Sequence, residues 1–67
     1  MALHQAQLDG NAARAVVRQR WPEATSAYTG ATAAEVYDPK TGAILGQANA
    51  EEFAVEHAWV AAARRLA

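Results

Sequence analysis

The five residues Asp38-Pro39-Lys40-Thr41-Gly42 constrain this chain more than any other part of it. Pro39 pre-sets the φ angle that opens a turn, and Asp38 can accept a backbone N–H two residues on. Gly42 can enter the left-handed region that brings the chain back. Strand formers stand on either side, Val36 and Tyr37 before the turn and Ile44 and Leu45 after it. Together these residues predict an antiparallel hairpin with strands over about 33–38 and 43–47. Closing the turn sets Tyr37 opposite Ile44 and Val36 opposite Leu45, with the two pairs on opposite faces of the ribbon. Both faces then carry apolar side chains. One face should meet helices and the other should meet something else.

A helix is expected on each side of this hairpin. The first spans about 11–21. Asp9 and Asn11 are its N-cap candidates, Ala12 to Trp21 contains no breaker, and Pro22 stops it. Ala13, Val16 and Val17 share a face with Trp21 at its edge, and Arg14 and Arg18 lie on another side. Arg20 falls on the apolar face near the helix end. Met1–Leu8 either extends this helix or forms a separate arm. Residues 23–32 are transitional, with a short strand at about 26–29. The second helix is expected over about 50–66. Asn49 would cap it, Glu52 would reach back to the cap N–H, and Glu51 and Arg64–Arg65 would match the two ends of its dipole. Its apolar face reads Val55, Ala58, Trp59, Ala62 and Leu66. Phe53 and Val60 project roughly opposite, with His57 and Arg64 beside them. The fold class is therefore α+β in one small domain, 1–67: helix, short antiparallel sheet dominated by the hairpin, helix. The expected core is Val16, Val17, Trp21, Val36, Leu45, Val55, Trp59 and Leu66.

Composition limits that core. Of 35 hydrophobic residues in a 67-residue chain, 19 are alanine. A chain of this length buries only about 60% of the surface it exposes when unfolded, and such a core yields roughly 3–5 kcal/mol unless something staples it. With no cysteine, neither a disulfide nor a Cys-based zinc site can be the staple. Association remains. No signal-peptide pattern and no apolar run of membrane-spanning length is present, so a soluble, cytoplasmic protein is expected.

Catalytic and metal chemistry find little support. His4 and His57 are the only histidines, Ser26 is the only serine, and neither histidine has a second ligand at metal spacing. The four glycines are scattered, so no phosphate cradle forms. The chain is expected not to be an enzyme and to need no metal or cofactor. The apolar residues that folding leaves over, Tyr37, Ile44, Phe53 and Val60, form the candidate interaction surface. They imply a protein partner, with a second copy of the chain, a homodimer, among the candidates. Nucleic acid is the alternative partner, held by a basic patch of Arg14, Arg18, Arg64 and Arg65. Against it stand a net charge of −1 and an acidic middle segment.

The run Tyr37 to Gly46, followed by Ala58-Trp59-Val60-Ala61-Ala62-Ala63, resembles a pattern in small phage and prophage proteins. In these a hairpin with a Gly turn leads into a helix whose Trp packs back on the sheet. The resemblance implies a small bacterial or phage accessory protein that works by binding, and it implies no catalytic residues.

Overall fold

The structure, a computed structural model, describes residues 9–66. His4 and the Met1–Leu8 segment lie outside the described residues. The elements run α1 (Gly10–Arg20), β1 (Thr25–Tyr28), β2 (Ala33–Tyr37), β3 (Ile44–Asn49) and α2 (Ala54–Arg64). The strands form one antiparallel sheet in the order β1-β2-β3, so β1 and β3 are its edges. Helix α2 packs on one face of the sheet, chiefly on β3 and β2, and α1 packs on α2. Both helices therefore stand on one side, and the expected α+β arrangement holds with its third strand present.

The central turn follows its sequence closely. Asp38 Oδ1 accepts the Lys40 N–H at 3.0 Å, Asp38 O accepts the Gly42 N–H at 2.7 Å, and Gly42 has φ +75°. The pairing beyond it differs from expectation. Tyr37 does face Ile44, but Val36 faces Gly46, because a bulge sits at this point and leaves Leu45 as the extra residue. The bulge turns both Leu45 and Gly46 inward, where simple alternation would bury only one. Gly46 then lies directly under α2. A Cβ there would come within 2.9 Å of Ala62 Cα, and nearer still to Ala58 O and Ala62 N. Only a residue without a side chain lets the helix backbone approach this closely.

The second helix begins later than the sequence suggests. Asn49 does not cap it; Asn49 is the last residue of β3 and pairs with Ala33. The Ala50 N–H continues the ladder by donating to Thr32 O at 2.8 Å. The strand ladder has taken the backbone that a capping box would have used. The N-cap is Phe53, with no side-chain hydrogen bond, and Glu51 and Glu52 are exposed in the turn before it. Helix α1 is capped by Asp9, one of its two N-cap candidates, whose Oδ1 accepts the Ala12 N–H at 2.8 Å, and Asn11 lies inside the helix. A second free N–H of its first turn, that of Gly10, donates to Glu56 Oε1 on α2 at 3.3 Å.

The core consists largely of alanine around three fully buried large side chains, Trp59, Val17 and Val36, with Leu45 beside them. Val16 and Leu66 are exposed and do not belong to the core, and Trp21 and Val55 are only half-buried. In α1 the buried positions are Gly10, Ala13 and Val17. Their helical spacing centres the inner face on Val17, between Ala13 and Gly10, roughly 90° away from Val16, with Arg14 at its border. Leu66 lies past the end of α2. Arg14 and Arg18 roof the Trp59 ring, with their guanidinium carbons 5.3 and 5.1 Å from its centroid. Arg18 Nε also donates to Ala24 O at 3.1 Å, tying α1 to the linker that follows. Arg20 turns back over Trp21 instead of covering the core.

Candidate functional site

The four residues of the expected interaction surface fall in three places. Tyr37 and Ile44 are cross-strand neighbours on the sheet face away from the helices. The rest of that face is mostly polar, with Thr25, Glu35, Gln47 and Asn49 following the same alternation. Phe53 is exposed and lines a hollow near the start of α1, with Tyr28, Gly10, Arg14 and Glu52. Val60 is half-buried and packs against the core from the outer flank of α2.

Beside β3, that outer flank forms a groove. Gln47 to Asn49, His57, Val60, Ala61 and Arg64 line one hollow of about 580 Å³. Ile44 to Gln47, Ala61 and Arg65 line the next, about 530 Å³. The two share Gln47 and Ala61, and β2 contributes no residue to either. Ile44 and Val60 thus fall in neighbouring parts of a single trough along the edge of the sheet.

The floor of the trough is an edge strand, and its backbone can be accounted for residue by residue. The Ala50 N–H bonds Thr32, and Ala48 is opposite Ala34. In an antiparallel ladder alternate residues bond the same neighbour. The backbone groups of Ala48 therefore face β2, and those of Gln47 and Asn49 face outward. At the other end of β3, Arg65 Nη1 donates to Ile44 O at 2.8 Å and to Leu45 O at 3.1 Å. Among the described residues, half of the edge is thus covered by a guanidinium and a bulge, and half is left bare. Edge strands are commonly protected by charge or proline, and Ile44–Asn49 contains neither.

The basic residues proposed for nucleic acid are divided. Arg14 and Arg18 lie on Trp59, Arg65 lies on the carbonyls of β3, and Arg64 lines the trough. Ser26, on β1, stands at the opposite edge of the sheet from the trough that His57 lines. Among the described residues no group of three or more His, Asp or Glu is placed to hold a metal, and no helix is long and apolar enough to cross a membrane.

The sequence reading missed Gln47, Ala48 and Asn49, because it ended the strand at residue 47 and gave Asn49 to the helix. The available signal was the run from Ile44 to Asn49, six residues without a charge or proline. Compared with known proteins, the chain matches no family model, and no curated protein or solved structure is similar to it.

Proposed function

We propose that this chain is a non-enzymatic protein–protein interaction module that takes its partner along the edge of β3 and the outer flank of α2. One observation carries the reading: Gln47 and Asn49 direct their backbone groups outward from an edge strand that has neither a charge nor a proline. Such an edge pairs readily with another strand, the backbone supplying hydrogen bonds and the adjoining side chains supplying selectivity. Val60 and Ala61 give the trough an apolar wall, and Arg64 and His57 give it a polar rim. A role in binding also fits the phage-type accessory protein that the hairpin and Trp-bearing helix resemble. The nucleic-acid alternative has less behind it, because Arg14 and Arg18 are engaged on Trp59 and Arg65 on β3.

Asn49→Pro tests this. Proline removes an outward N–H at the end of an edge strand, one that no described residue accepts. A tagged chain is used to capture proteins from an extract of its native host, in cells that also produce the untagged chain. The parent should retain a specific protein, either a host protein or the untagged copy, and the Asn49→Pro chain should lose it. Equal capture by both would remove the edge from consideration.

A further inference from the structure

We infer that the partner at this edge is a second copy of the same chain, its β3 added antiparallel across a two-fold axis at Ala48. The inference rests on the binding reading above and names the occupant. It follows from the backbone directions and from the charges at the two ends of the trough.

The outward backbone positions are Gln47 and Asn49, and Ala48 lies between them. If two such strands meet antiparallel about Ala48, Gln47 of each copy faces Asn49 of the other. Both residues then exchange N–H···O bonds, and Ala48 faces Ala48 as a non-hydrogen-bonded pair. Ala48 is half-buried and small, so it leaves room for close approach at the axis.

The same pairing decides what the ends meet. It brings the turn that follows β3, with Glu51 and Glu52, toward the Ile44–Leu45 end of the second copy. Arg65 already holds its guanidinium on the carbonyls of Ile44 and Leu45. Two exposed carboxylates that take no part in capping α2 are thereby brought to the side of the guanidinium fixed on β3. The arrangement occurs twice, once at each end, as an isologous contact requires. Because α2 runs antiparallel to β3, with Arg65 beside Ile44 and His57 beside Asn49, the two α2 helices also meet antiparallel. Their outer flanks, His57, Val60 and Ala61, then close the trough.

The chain contains no cysteine, which gives a direct test. In a non-hydrogen-bonded antiparallel pair the Cα atoms lie about 4.5 Å apart, within the range a disulfide spans. Ala48→Cys should therefore form a disulfide-linked dimer under mild oxidation, about tenfold or more faster than Ser26→Cys on the opposite edge strand. Equal rates, or no dimer from Ala48→Cys, would overturn the inference. Sedimentation of the unmodified protein should show a monomer–dimer equilibrium. The double substitution Glu51→Arg and Glu52→Arg should weaken it by about tenfold or more, while leaving unchanged the melting temperature measured at a concentration where the chain is monomeric. An equilibrium indifferent to the double charge reversal would sink the register. If Ala48→Cys does not cross-link and the protein stays monomeric, but Asn49→Pro still loses a host protein, the edge binds something other than itself. The inference then fails and the binding reading stands.

Discussion

Toward α1 and the sheet, α2 presents Ala54, Ala58, Trp59, Ala62 and Ala63, all buried. Beside the edge of β3 it presents His57, Val60, Ala61 and Arg64, none of them fully buried. Folding accounts for the first set in detail. Small side chains admit β3 on one side, and a single large ring fills the seam with α1 on the other. Nothing among the described residues makes comparable demands on the second set. In a domain whose core is mostly alanine, a flank that folding leaves unfinished is where association has most to add.

The inner side is most easily broken at Trp59. Trp59→Ala should cost about 3–5 kcal/mol, comparable to the whole stability of so small a domain, and the variant should lose its cooperative unfolding transition. The ring's buried Nε1–H has no hydrogen-bond partner among the described residues. Trp59→Phe keeps an aromatic surface beneath Arg14 and Arg18 and removes that unpaired donor, so it should cost far less than the alanine variant. Equal losses from the two would mean that the ring's volume is not what holds the seam.

Gly46 is the next test on the inner side. Gly46→Ala should cost about 1–3 kcal/mol in denaturant unfolding, since the added methyl meets the backbone of α2, which cannot swing aside as a side chain can. A neutral substitution would show that α2 sits further from β3 than the bulge implies. Arg18→Ala should lower stability by about 1–2 kcal/mol, combining a stacking contact on Trp59 with a hydrogen bond to Ala24 O. That loss also separates two roles. An arginine kept free for phosphate would leave the melting temperature unchanged when removed.

These positions mark how far local chemistry reaches. The turn at Asp38–Gly42 was legible because every requirement lies within a few residues: a fixed φ at Pro39, an Asx acceptor, a glycine at positive φ. The cap of α1 by Asp9 was legible for the same reason. Asn49 was misread because two local solutions competed for the same backbone. The capping box lost to a ladder whose other half, Thr32 to Ala34, lies far away in sequence. Val16 was misread because periodicity fixes an apolar arc but not its centre; here Glu56 on Gly10 and Trp59 under Arg14 set how α1 faces α2. Leu66 was misread because α2 ends at Arg64, before it. The trough itself was only half visible. Ile44 and Val60 stood out as apolar residues without a role, but Gln47, Ala48 and Asn49 matter for their backbone, which side-chain patterns do not report.

Glu52 offers the smallest and most discriminating comparison. As half of a capping box it would be worth about 1 kcal/mol. In the structure α2 begins without a side-chain cap and Glu52 is exposed. Glu52→Ala should therefore leave the unfolding midpoint within about 0.5 kcal/mol of the parent when measured at a concentration where the chain is monomeric. Asp9→Ala, which removes a cap that does form, should cost about 1 kcal/mol under the same conditions. If Glu52 costs as much as Asp9, its carboxylate serves the fold, and it is no longer a spare charge awaiting a partner at the edge of β3. If it costs nothing in the monomer yet lowers stability as concentration rises, the outer side of α2 is the one that association completes.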